Sequence, residues 1–123
     1  MEVQVFGVRK SPATRAALRF FAERRIKTHF VDLLERAPSL GELQRFAHKS
    51  GVAALVDRES RRFVDLGLAH ARLSDERWLE KLSVEPLLLR MPLVRWQQRV
   101  TVGEAGGAWK EWVEETRTES RTG

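Results

Sequence analysis

A chain of 123 residues, 42% of them hydrophobic and none of them cysteine, is long enough to bury a core without disulfides or a structural metal. The missing thiol excludes disulfides, thiolate catalysis, iron–sulfur clusters and thiolate zinc sites. A net charge of +5 admits an acidic partner, but Glu and Asp are interleaved with Arg, and the clusters Arg24-Arg25 and Arg61-Arg62 are too short for a phosphate-tracking stripe, so nucleic acid is not the expected one.

Val3, Val5, Phe6 and Val8, bounded by Gly7 and a charged turn, predict a strand covered on both faces. Ser11 is a suitable N-cap and Pro12 a suitable first residue for a helix reaching about Arg25. That helix places Ala13, Ala17, Phe20 and Phe21 on one side and Arg15, Arg19 and Glu23 on another. Its start, flanked by Arg9 and Lys10, is electropositive and suits an anion, although any helix needs a cap. Thr28 to Leu33 reads as a second strand with Phe30 inside, which makes the opening a βαβ unit with parallel strands.

Ser39 caps a helix from about Leu40 to Lys49, with Leu40, Leu43, Phe46 and Ala47 as its apolar stripe and Gly51 past its end. Val52 to Val56 reads as a short helix or turn, Arg58 to Arg62 as surface, and Phe63 to Leu68 as a return to the core. Ser74-Asp75-Glu76 opens a helix that turns Trp78, Leu79 and Leu82 inward; Pro86 ends it and Leu87-Leu88-Leu89 adds one apolar turn. Leu93 to Trp96 and Arg99 to Val102 form a predicted antiparallel hairpin about Gln97-Gln98, without the usual Gly. A last helix from Glu104 to about Glu115 presents Ala108, Trp109, Trp112 and Val113, and Trp96 is the tryptophan expected to be partly exposed. Thr116 to Gly123 has no apolar residue and is expected to be a flexible tail, leaving a single domain over 1–115 with a helical insertion at about 39–91. The order βαβ, helical insertion, ββα is that of an α/β, thioredoxin-like fold with a mixed sheet flanked by helices.

These segments resemble the family of arsenate reductase (ArsC), Spx and YffB. VFGVRKSPATRAALRFFAERRIKTHFVDL is similar to its opening strand, active-site turn, helix and second strand. Asp65-Leu66-Gly67-Leu68 stands in the place of the family's "ELGL", Leu73-Ser74-Asp75 in that of its "LSD", Glu85 to Val94 in that of its "P-x-L-L-x-R-P-I-V", and Val102-Gly103 in that of its "VG". The resemblance puts Ser11 where the family has its nucleophilic cysteine, and a serine without an adjacent base is a weak nucleophile at neutral pH. It puts Asp57, next to Arg58, and Met91, next to Arg90, at two positions where the reductases have oxyanion-holding arginines. A carboxylate there repels an arsenate. Pro92 resembles the family's cis-proline, whose preceding residue offers backbone groups to an extended peptide.

Thiol-dependent arsenate reduction is therefore not expected, and no residue is assigned as catalytic. The resemblance implies a binding or regulatory module whose candidate contacts are Arg9, Lys10, Ser11, Pro12, Arg58, Arg90, Met91 and Pro92. A protein would bind at the Ser11/Pro92 edge, RNA polymerase being the partner by analogy with Spx. The alternative is an enzyme that holds glutathione or a small oxyanion at the Ser11 turn without a protein thiol; no other cofactor is implied. His29, His48 and His70 lack ligand-like spacing, so no metal is expected, and no G-x-S-x-G elbow surrounds Ser11. With no long apolar run and no leader, a cytoplasmic location without membrane contact is expected. The absence of Asn and Cys suits a heat-loving source, although the 17 Arg against 5 Lys equally fit GC-rich codons.

Overall fold

Side chains of the first strand alternate between two buried faces: Val3 and Val5 turn to one side and Phe6 to the other, and none is more than 1% exposed. The computed structural model describes the backbone over residues 1–122 and side chains over 1–118. In chain order its elements are β1 (Glu2–Gly7), α1 (Pro12–Glu23), β2 (Lys27–Asp32), α2 (Leu40–Ser50), α3 (Val52–Leu55), α4 (Arg61–Asp65), α5 (Asp75–Val84), a 3-10 turn (Pro86–Leu88), β3 (Leu93–Trp96), β4 (Arg99–Val102) and α6 (Gly106–Thr122). The strands form one mixed sheet in the order β2-β1-β3-β4, with β1 parallel to β2 and antiparallel to β3, and β3 antiparallel to β4. The predicted thioredoxin-like α/β arrangement, with α2 to α5 between its halves, is what the chain adopts.

Each face of the sheet has its own core. Val3, Val5, Val94 and Trp96 pack with Ala17 and Phe21 of α1 and with Trp109 and Trp112 of α6. Phe6, Val31, Leu33 and Leu93 pack on the other side with Leu43, Phe46, Trp78 and Leu82 of the insertion. Trp109 is 2% exposed, and its ring N–H donates to Thr101 Oγ1 at 2.8 Å, so the burial leaves no unmet donor.

Four sequence expectations need correction. Trp96 is buried, because α6 lies over its face of the hairpin and sets Trp112 against it at 6.0 Å between ring centroids. Leu40 is 43% exposed: the stripe of α2 begins at Leu43, since the first helical residue lies on the solvent side. Phe63 and Leu68 return to the core as expected, but between them Val64 and Leu66 point outward, because the segment opens with the short helix α4. Finally, α6 begins at Gly106, whose amide donates to Glu104 Oε1, and runs to Thr122. Past Glu115 the Thr116 and Thr118 hydroxyls donate to the carbonyls of Trp112 and Glu114, and Arg99 on the hairpin pairs with Glu115, tying this part of the helix to the sheet. Gly123 lies outside the described residues.

Two turns adopt a conformation their residues do not announce. Gln97 closes the hairpin at φ 55, and Arg25 ends α1 at φ 58. At Arg25 the cost is offset by a Schellman pattern, Ile26 N–H to Phe21 O and Arg25 N–H to Ala22 O, both 3.0 Å.

The start of α2, which seats the insertion on the sheet, is a capping box: Ser39 Oγ accepts from the Glu42 amide and the Glu42 carboxylate accepts from the Ser39 amide. Arg36 adds a bidentate pair to the same carboxylate, 2.9 Å at each oxygen. The Arg36 hydrogen bonds, helped by the Ser39 amide and opposed by partial burial, hold the Glu42 pKa down from the usual 4.5 to about 2. A carboxylate whose folded pKa is depressed stabilises fully above its unfolded value and loses that contribution as pH falls through the folded one. Glu42→Gln keeps the shape of the box, so it should cost on the order of 1 kcal/mol at neutral pH, a modest figure because Arg36 is half exposed. Denaturant unfolding of both proteins should show that difference shrinking from about pH 5 to about pH 2.

Candidate functional site

The chain leaves β1 at Gly7 and turns through Val8, Arg9 and Lys10 into α1. The Ser11 amide donates to Val8 O at 3.0 Å and closes the turn. Ser11 itself has extended backbone angles, φ -74 and ψ 117, and its half-buried Oγ accepts from the Thr14 amide at 3.1 Å. The hydroxyl is thus an N-cap whose acceptor is occupied by the helix, while its proton has no acceptor among the described residues. Pro12 occupies the first helical turn, where its missing N–H costs nothing.

Register brings a second segment to this end of the sheet. Phe6 pairs with Leu93, so Pro92 lies across from Gly7, and the Met91–Pro92 peptide is cis. Pro92 is buried and its carbonyl accepts from the Gly103 amide at 2.8 Å. Met91 is half-buried against the larger core, and no hydrogen bond among the described residues uses its backbone amide or carbonyl.

The insertion contributes a third segment. Val56 bridges Leu89, with Asp57 N–H donating to Leu88 O and Arg90 N–H to Leu55 O, both 2.8 Å. The Asp57 and Arg90 stretches therefore run side by side. Asp57 Oδ1 accepts from the Glu59 amide at 3.0 Å and Asp57 O from the Ser60 amide at 3.1 Å, so this carboxylate shapes the entry to α4.

Of the eight candidate contacts, Ser11, Pro12, Met91 and Pro92 are gathered at one end of the sheet. Two of the three arginines are engaged locally. Arg9 lies 4.8 Å over the Phe30 ring and Arg58 5.6 Å over that of Phe63, while Arg90 runs its aliphatic stem past Gly103. Lys10 is exposed. Among the described residues no group of three His, Cys, Asp or Glu could hold a metal ion, and the three histidines are exposed.

One pair in this turn escaped sequence reasoning. Thr14, in the first turn of α1, is 0% exposed, and its Oγ1 has no hydrogen-bond partner among the described residues. It sits directly on Gly7: a Cβ built there would meet Thr14 Oγ1 at 2.3 Å, Cγ2 at 2.6 Å and Cβ at 3.0 Å. The signal was a glycine closing a buried strand, which marks close approach of another segment.

The sequence pattern of the ArsC family matches residues 6–112. This chain belongs to the ArsC family. The arsenate reductase of Neisseria meningitidis serogroup A is 29% identical over 105 residues, covering 83% of this chain and 90% of that protein. An arsenate reductase from Vibrio cholerae superposes with a TM-score of 0.79 at 24% identity, covering 90% of this chain and 97% of the other. The YFFB protein superposes with a TM-score of 0.82 at 19% identity, covering 89% and 96%. As an ArsC-family chain it is cysteine-free throughout. No helix among its described residues is long and apolar enough to cross a membrane.

Two measurements test the construction of this turn. Gly7→Ala should destabilise by at least about 2 kcal/mol, because backbone and helix start leave Thr14 no room to give. The same substitution should cost about 1 kcal/mol less in a Thr14→Ala background, where Oγ1 and Cγ2 are gone, and a double-mutant cycle by urea unfolding reads that coupling. Ser11→Ala should cost about 1 kcal/mol and Ser11→Gly only a few tenths, the signature of a cap, measured the same way.

Proposed function

We propose that this chain is a thiol-independent binding module of the ArsC family, without arsenate reductase activity, and that it takes an extended polypeptide segment at the Ser11/Pro92 edge. The observation that carries the reading is the role of Ser11: its oxygen serves the α1 N-terminus at the position the resemblance assigns to the nucleophile, and the sequence holds no thiol to replace it. A serine hydroxyl with no adjacent base cannot form the adduct that a thiolate forms. By the resemblance, Asp57 and Met91 also stand where the reductases have arginines, and Arg58, next to the first, is engaged with Phe63. The unpaired Met91 backbone beside Pro92 supplies both a donor and an acceptor, as strand-like recognition of a peptide requires. A regulatory role through a protein such as RNA polymerase, by analogy with Spx, is one form of this reading.

The same Met91 groups favour a second reading, in which the peptide is glutathione and the Ser11 hydroxyl donates a hydrogen bond to it or to a small oxyanion. Glutathione titration monitored by tryptophan fluorescence separates the two: a saturable response supports the second reading, and silence supports the first.

Arsenate supplied with glutathione and glutaredoxin should show no turnover, and robust turnover would sink the proposal. Ser11→Cys sharpens the test. A thiol at this helix start should react with iodoacetamide faster than a free cysteine, because the N-terminal amides stabilise the thiolate. It should still not reduce arsenate, for want of the two arginines.

A further inference from the structure

We propose that the uncovered half of the sheet and the adjoining side of α2 form a second binding site, for a small anion carrying two or more phosphate groups. The insertion helices cover the Phe6, Val31 and Leu93 end of their face, and toward the start of β1 that face carries Gln4, His29 and Arg95 instead. Two open grooves flank Arg95 there. The larger, about 710 Å³, runs between α2 and the β3–β4 hairpin and is lined by Gln44, Arg45, His48, Lys49, Arg95 and Gln98 among others. The smaller, about 410 Å³, includes Glu2, Gln4 and His29.

The charge is one-sided. Arg45, His48, Lys49 and Arg95 all line the larger groove, none makes an ion pair among the described residues, and no carboxylate lines it. His48 and Lys49 lie in the last turn of α2, where basic residues complement the helix dipole. That account does not reach Arg45, further back on the helix, or Arg95, on the sheet. Arg95 is also held in place: Nε donates to Gln4 Oε1 at 3.2 Å and Nη1 to Gln97 O at 3.0 Å, leaving Nη2 for a ligand.

The lining selects the ligand class. Cations on two opposed walls call for more than one anionic group, and the volume is that of a small-molecule site. No aromatic ring lines the groove to stack a base, and Val100 is its one large apolar side chain, so a protein partner would find no buried anchor. The site lies toward the opposite end of β1 from the Ser11 turn and does not depend on the reading of that turn.

Inorganic tripolyphosphate titrated into the full chain by calorimetry should bind saturably, with amide NMR shifts confined to α2, the hairpin and the start of β1. Arg45→Gln with Lys49→Gln, both exposed, should weaken binding about tenfold or more. Gln44→Glu, which puts a carboxylate into the groove, should weaken it similarly and serves if the double variant loses its fold. No saturable binding, shifts elsewhere, unchanged affinity in the variants, or tighter competition by a single-stranded oligonucleotide of equal charge would each overturn the proposal.

Discussion

Two cores meet at β1, and the rest of the fold depends on that one strand serving both. Val3 and Val5 enter the core of α1 and α6, and Phe6 enters that of the insertion, although the three are within four positions of one another. Only the alternation of a pleated strand delivers side chains to opposite faces at that spacing. β1 also pairs on both edges, with β2 and with β3, so its position fixes where the two halves of the chain meet. A slip of one residue would send Phe6 toward the tryptophans and the valines toward the insertion, and neither core would close.

The chemistry available at the end of β1 follows from how tightly α1 is seated there. Gly7 lets the helix start approach until Thr14 rests on the strand backbone, and Ser11 then caps the helix from the turn between them. A side chain at position 11 lies where helix amides concentrate positive potential, which would activate a thiol and does little for a hydroxyl. Membership of the ArsC family therefore describes the scaffold and the placement of the turn. It does not by itself carry over an activity.

The distribution of arginine is instructive. Arg9, Arg24, Arg58 and Arg99 each lie over an aromatic ring, and Arg36, Arg61, Arg62 and Arg99 pair with carboxylates. Ion pairs and ring contacts thus absorb only part of the positive charge, and net charge alone says little about where an anion would bind. The groups around Arg95 are distinguished by their gathering along one groove whose lining holds no carboxylate, and they lie toward the other end of the strand from the turn.

The sequence by itself determined the element order, the caps at Ser11, Ser39 and Ser74, the parallel opening unit and the exclusion of thiol chemistry, because periodicity, capping residues and composition act locally. It also pointed to Pro92, but only through resemblance. Tertiary structure decided the rest. Trp96 is buried because α6 arrives from ten residues away to cover it, and past its apolar run α6 is tied to the hairpin by Arg99. The close seat of Thr14 on Gly7 and the engagement of Arg9 and Arg58 with aromatic rings are contacts between segments, which no local pattern encodes. So the location of the Ser11 turn was legible from the chain, whereas which charges face it was settled only when the insertion, the hairpin and the strands packed together.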